Sequence, residues 1–239
     1  MYWEYYIMGV ILIPGIIIAS VAQARVSSTF GKYNQVFASS GVTTLQLISH
    51  MLAAAGLNHI SIIQVPGHLS DHYDSKKKVL ALSGDTYNSS SIAALGVACH
   101  EFGHALQDSS NYAPLKIRKI LIPLSNIAST LLWPLVIIGL VFNFAVVDGT
   151  MLGNIFLWSG IAVFGSAVLV NLITLPVEYN ASNRAIKLLR ETGTLNEEEL
   201  EGARKVLNAA ALTYVAALLV SMLNLIRFVL VILSAKNRD

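Results

Sequence analysis

The chain alternates long apolar runs with two hydrophilic stretches. The first run extends from Tyr5 to Ala22, with no charge between Glu4 and Arg25. The second covers Ile120–Val147, the third Met151–Val177 and the fourth Val206–Leu233, the last broken by Arg227. A hydrocarbon core of about 30 Å is crossed by about 20 helical residues at about 1.5 Å each, so every run is long enough to span it. Only a turn around Asp148–Gly149 separates the second and third runs, which predicts an antiparallel helical hairpin. Between the first two runs the pattern becomes that of a small folded unit. Leu45, Ile48, Leu52 and Ala55 recur at helical spacing and predict a helix over Thr43–Leu57. The β-branched stretch HISIIQV (His59–Val65) predicts a strand stopped by Pro66-Gly67, and Lys77–Ser83 predicts a second strand. Asn88–Ser90 supply N-cap residues for a long helix that carries GVACHEFGHALQ, Gly96 to Gln107. The expected order is helix, strand, strand, helix.

Composition sharpens this picture. Of 239 residues, 54% are hydrophobic and only 13% charged, and the mean hydropathy is +0.61. A soluble domain carries about a quarter charged residues. The expected class is therefore mainly α: a multi-pass transmembrane helical protein with a small α+β insertion. Its expected parts are a transmembrane helix (1–24), the insertion (25–119), the hairpin (120–177), a further helix (178–205), and a C-terminal transmembrane helix with tail (206–239). The first run has no basic segment before it and no small-x-small site followed by a secreted, cysteine-bearing domain, so it reads as a retained helix, not a signal peptide. Lysine and arginine concentrate in the two hydrophilic segments and are absent from the Asp148 turn and the first 24 residues. That places both segments on the cytoplasmic side and the N-terminus outside. Lys236 and Arg238 oppose the rule if the last run spans fully. That run also holds Asn208, Thr213, Ser221, Asn224 and Arg227, and is the least secure span. A net charge of +2 without a dense basic run gives no footprint for nucleic acid, and a single cysteine, Cys99, excludes an intramolecular disulfide.

The chemistry-bearing stretch is HEFGH. On a helix, His100 and His104 lie one turn apart on one face and can reach a single ion. Glu101 stands one residue on, close to such an ion without being forced onto it. This suits a carboxylate that takes a proton from a zinc-bound water whose pKa is lowered toward about 7. The pattern is the HExxH signature of zinc hydrolases, and it makes the insertion zincin-like. A catalytic zinc takes three protein ligands and keeps one open position. No histidine follows His104, so the third ligand is expected to be a carboxylate. Asp108 is on the same helix, which does not fold it back onto the ion. Asp148 falls on the opposite side of the membrane. The run Glu197–Glu201 reads as a solvated first turn, with Thr194 and Glu197 in a capping-box pattern. Glu178 is the best choice: it is on the cytoplasmic side and starts a new helix after Pro176. A plainer role for it is a helix N-terminal carboxylate stabilised by the dipole.

The stretches PGHLSDHYD (Pro66–Asp74), HEFGHALQ, YAPLKIR (Tyr112–Arg118), LPVEYNASNRA (Leu175–Ala185) and VLNAAALTYVAA (Val206–Ala217) occur in this order among the hydrophobic runs. Together they resemble the YugP-type neutral zinc metallopeptidases of bacterial membranes. HExxH alone is shared by many families; the set is specific and covers nearly the whole chain. The resemblance implies a membrane-embedded zinc protease. It is more distantly similar to membrane proteases that process prenylated proteins or act in heat-shock quality control. There a glutamate on a later helix completes the zinc site, which supports Glu178 as ligand in a gluzincin-like set with Glu101 as the catalytic residue. One position departs from the family pattern. Two residues after the ligand glutamate, where an aspartate is usual, this chain has Asn180. Asparagine still accepts a hydrogen bond behind a ligand imidazole but brings no charge.

Other polar residues carry weaker expectations. His68 and His72 are also four apart, but they sit between predicted strands; a substrate-facing or loop-fixing role, or a plain surface one, suits them better than metal ligation. The strand Lys77–Ser83 either offers its edge to an extended substrate or is an internal strand. Arg184 and Tyr179 lie near Glu178 and are candidates to stabilise an oxyanion. Cys99 points about 100° away from His100 and reads as packing. Arg227 either snorkels or pairs with a carboxylate. The expected function is a zinc-dependent peptidase with one zinc ion per chain. It would hydrolyse peptides or membrane proteins near the inner surface of a bacterial cell membrane, in contact with the bilayer. Its site would face the cytoplasm, with no nucleic-acid partner. The alternatives are a zinc-stabilised membrane scaffold or adaptor without chemistry, and a zinc hydrolase of a lipid or small molecule.

Overall fold

The computed structural model describes residues 10–145 and 151–236. Its elements are α1 (Ile13–Asn34), α2 (Thr44–Ala54), β1 (Ser61–Val65), β2 (His72–Asp74), β3 (Val79–Ser83), α3 (Ile92–Ser109), α4 (Ala113–Ala145), α5 (Met151–Glu191) and α6 (Glu197–Lys236). The molecule is mainly helical, with one three-stranded sheet among the described residues. Two compact units emerge: one from Ala22–Leu115 and Pro176–Thr213, the other from the described parts of 1–21, 116–175 and 214–239.

In the first unit the sheet order is β1-β3-β2, with β1 parallel and β2 antiparallel to β3. The strand order read from the sequence missed β2, a three-residue strand too short for a visible alternation. Its presence decides between the two readings of the next strand. The strand at Lys77–Ser83 is the central one, with Ala81 opposite Ile63 on one side and His72 on the other. Both its main-chain edges are paired over Val79–Ala81, which leaves little of it to offer an extended substrate. Burial of Leu80, Ala81 and Leu82 to 1% exposure or less follows from that central place.

The α2 helix starts in a capping box, where Thr43 Oγ1 accepts from Gln46 N and Gln46 Oε1 accepts from Thr43 N. Its buried face is Thr44, Leu47, Ile48, Met51 and Leu52, rotated from the expected stripe; Ala55 is the exposed C-cap. The N-cap of α3 is Ser91, one residue past the expected set, with Ala94 N donating to its Oγ at 3.1 Å.

No new helix begins after Pro176. The α5 helix runs through it from Met151 to Glu191. A proline inside a helix costs about 3 kcal/mol. Here Val177, Ala181, Ala185 and Leu189 form a stripe of zero exposure at four-residue spacing. With Ile186 also in the core, and each large aliphatic side chain worth about 1.5–3 kcal/mol, packing offsets the break. The predicted capping box also moves: Asn196 N donates to Glu199 Oε2 and Glu199 N to Asn196 Oδ1, both at 2.9 Å, while Glu197 pairs with Arg190.

In the second unit, Gly15 lies where a Cβ would sit 3.0 Å from Leu223 Cδ1, and Phe164 packs on Phe228 with centroids 5.0 Å apart. Among the described residues, two helical stretches are by length and composition apolar enough to cross a membrane, Trp158–Glu191 and Glu197–Leu230, each containing an 18-residue window of mean hydropathy 2.0. The Asp148–Gly149 turn, the first nine residues and the final three lie outside the described residues.

Candidate metal centre

The metal-site helix is α3. Leu95, Ala98, Cys99, Phe102 and Ala105 fasten its inner face in the core at 1% exposure or less. Cys99 is packing, as expected, and burial pushes its thiol pKa up. His100 and His104 stand at the border of that face, each side chain 12% exposed. Their rings meet edge to face at 4.7 Å.

The partner helix is α5, and Gly103 sets how near it comes. A Cβ on Gly103 would lie 2.8 Å from the Ala181 carbonyl oxygen and 3.2 Å from its Cα. Only glycine lets the two backbones meet there. One turn before Ala181, Glu178 is 2% exposed. Its Oε2 lies 3.2 Å from His100 Nε2 and 3.5 Å from His104 Nε2.

The far side of each imidazole is also held. His100 Nδ1 is 3.1 Å from Ser182 Oγ, and His104 Nδ1 is 2.9 Å from Gln107 Oε1. Gln107 Nε2 donates to Val177 O at 2.8 Å and to Asn180 Oδ1 at 3.0 Å. Since the amide nitrogen points at two carbonyl oxygens, Oε1 is left as an acceptor toward His104. Nδ1 therefore carries the proton, and Nε2 turns a lone pair toward Glu178. Two acceptors then face each other at 3.5 Å, an arrangement that calls for a cation or a proton between them. Burial alone lowers the pKa of His104. The Glu178 hydrogen bond and the nearby charge of Glu101 overcome it, and the net shift is upward.

The donor set fits zinc. Ligands about 2.0–2.1 Å from a tetrahedral zinc lie about 3.3 Å from one another, close to the two separations from Glu178. Glu101 shares a cluster with the two histidines in which the donor atoms lie within 4.8 Å of one another. Both carboxylates therefore lie within reach of the two imidazoles. Glu101 is 9% exposed. Among the described residues its carboxylate makes no side-chain hydrogen bond, and no buried side-chain polar atom lacks a partner. Its oxygens are therefore not fully shut off from solvent.

Several expected residues lie elsewhere. Asp108 accepts from Tyr73 Oη at 2.9 Å and Lys78 Nζ at 2.8 Å, tying the β2–β3 hairpin to α3. His68 Nδ1 meets Asp85 Oδ2, and His72 Nδ1 donates to Ser70 O at 2.9 Å; both rings are exposed. Arg184 Nε donates to Asn180 Oδ1 at 2.9 Å, so it stands behind the site. Tyr179 is 43% exposed and lines a separate groove. Gln107 and Ser182 escaped the sequence reading. Helical spacing alone could have found them, three residues after His104 and four after Glu178.

Residues 8–233 match the model of a family described as "putative neutral zinc metallopeptidase". The chain belongs to that family. It is also 42% identical over 219 residues, 91% of this chain and 93% of the relative, to the "putative membrane protease YugP" of Bacillus subtilis (strain 168). No solved structure matches it. The family name supplies the zinc for which these donors are spaced.

Proposed function

We propose that this family member is a multi-pass membrane peptidase in which His100, His104 and Glu178 hold one zinc ion and Glu101 moves the proton. The observation that carries this reading is the placement of one buried carboxylate oxygen 3.2 and 3.5 Å from the two imidazole nitrogens. When bound, zinc supplies a Lewis acid that makes water acidic near neutral pH and polarises a carbonyl.

The protein residues do the rest. Gln107 and Ser182 fix the imidazoles so that both Nε2 atoms converge. Glu101, largely buried and with no hydrogen-bond partner at its carboxylate among the described residues, takes the proton of the attacking water. It then returns that proton to the nitrogen of the leaving amine, so the amide and water become a carboxylic acid and an amine. The charge bias of the hydrophilic segments favours action at the cytoplasmic face of a bacterial membrane, on a peptide or membrane-protein substrate. Glu101 has little to do in a purely structural zinc site, which weighs against the scaffold alternative.

The test is zinc per chain in detergent-purified protein, wild type beside Glu178→Ala, with peptide hydrolysis measured on the same samples. Wild type is expected to hold about one zinc and to cleave, and the variant to lose both. Equal zinc in the two proteins would remove Glu178 from the ligand set. A zinc-loaded wild type that cleaves an ester or lipid but no peptide would move the reading to the non-peptide hydrolase.

A further inference from the structure

Apart from the metal centre, the first unit holds a cationic groove of about 770 Å³ between α1 and α6. Its walls are two helical stripes. Arg25, Ser28, Thr29 and Lys32 follow the i, i+3, i+4, i+7 spacing of one helix face, and Lys205, Asn208, Ala209 and Leu212 repeat it on α6. Beneath them Phe30 and Val206 pack together at 3% exposure or less, and Tyr33 lies against Gly202, where a Cβ would come within 2.8 Å of its ring. The helices are thus fastened, and the groove has a built floor.

Its charge is one-sided. Arg25, Lys32 and Lys205 line it, and no carboxylate does. The nearest counter-charge to Lys205 is Glu201, one turn back on α6 at 3.8 Å, with both side chains 55% exposed. An exposed pair of that kind is worth little and leaves the ammonium available. The Asn208 amide lines the groove with the cations, while the Ser28 hydroxyl donates to the Arg25 carbonyl at 3.2 Å. At the other end of the α6 stripe, Leu212 turns apolar and is 37% exposed.

Position along the chain adds a second, independent observation. Arg25 is the first charge after Glu4, and Lys205 is the last before Arg227. Both cations therefore mark the point where a helix passes from polar to apolar sequence. A head that is anionic with a tail that is apolar matches that gradient. Basic pockets between helices at a membrane boundary attract acidic phospholipid headgroups, and a guanidinium can grip a phosphate through two hydrogen bonds.

We propose that the groove between α1 and α6 binds the phosphate headgroup of an anionic phospholipid, with Arg25, Lys32 and Lys205 as its cationic contacts. The site is distinct from the metal centre and does not depend on the zinc reading.

The test is native mass spectrometry of the full chain in neutral detergent with added phosphatidylglycerol or phosphatidylcholine. Wild type should retain phosphatidylglycerol preferentially. Removing one cation should weaken retention about fivefold, and R25Q/K32Q/K205Q should abolish the preference. The charge-keeping R25K/K32R/K205R should retain it, and Lys187→Gln, an exposed cation outside the groove, should behave as wild type. Zinc content and melting temperature should stay unchanged throughout, since all three side chains are exposed. If the triple variant does not fold, the three single variants still have to show the fivefold losses. Equal retention of both lipids, or single variants matching Lys187→Gln, would overturn the proposal. So would displacement of phosphatidylglycerol by millimolar inorganic phosphate, which would make the groove a site for free phosphate.

Discussion

The chain carries two histidine pairs with the same four-residue spacing, and they fold to different ends. His100 and His104 sit on α3, where that spacing is one helical turn, so both rings project together and a buried carboxylate from α5 closes on them. His68 and His72 lie in a loop and at the start of β2. There the rings part, one toward Asp85 and the other toward the Ser70 carbonyl. Spacing acquires chemical meaning from the backbone beneath it. The second difference lies behind the rings: in the α3 pair, Ser182 and Gln107 hold the Nδ1 atoms, whereas the other pair is solvent-exposed.

The largest effect that would sharpen the contrast comes from Glu101→Gln. Hydrolysis should fall by about 10²–10⁴-fold, the usual worth of general acid–base catalysis, with zinc retained. Loss of zinc in that variant would make Glu101 a ligand and break the assignment of roles. Next is Gln107→Leu, which removes the acceptor that fixes the His104 tautomer. Zinc affinity should drop about 10–100-fold, measured by competition with a chelator. Gly103→Ala should follow, forcing α3 from α5 by tenths of an ångström at about 1–3 kcal/mol of stability, read as a lower melting temperature and weaker zinc retention. The smallest response belongs to the second pair: His68→Gln and His72→Gln should leave zinc content unchanged and shift stability by no more than about 0.5 kcal/mol. Zinc loss from either would restore that pair as ligands.

Acidification gives opposite signs with and without metal. In the metal-free chain the pKa of His104 is raised despite burial, through the Glu178 hydrogen bond and the Glu101 charge. The folded state then binds this proton more tightly than the unfolded one. Its stabilising contribution is complete below the unfolded value of about 6.5 and is lost as pH rises through the higher folded value. Zinc competes for the same nitrogen, so metal retention should begin to fall at a pH above that of an ordinary imidazole. Melting curves of the apo and zinc-loaded chains, taken across neutral pH, would read both signs.

The sequence exposed the parts of this site whose signal is local. HExxH on an apolar helix pattern located His100, Glu101 and His104. Elimination among a few carboxylates, together with the family resemblance, pointed to Glu178, although its helix does not begin where Pro176 suggested. What stayed hidden depends on contacts between distant segments. Gly103 is silent until Ala181 lies against it, and Gln107 looks like any polar residue until Asn180 and the Val177 carbonyl orient its amide. The short β2 strand exists because β3 offers it a partner. Without β2, the central strand looked free to serve as an edge.

Glu178 lies 78 residues beyond His100, with the whole of α4 and more than half of α5 between them. During synthesis the histidines and Glu101 leave the ribosome long before the carboxylate that completes the donor set. The nascent chain therefore passes through a period in which the HExxH helix exists without the carboxylate that meets its imidazoles. On the proposed ligand set, the site is complete only after most of the described apolar helices have been made.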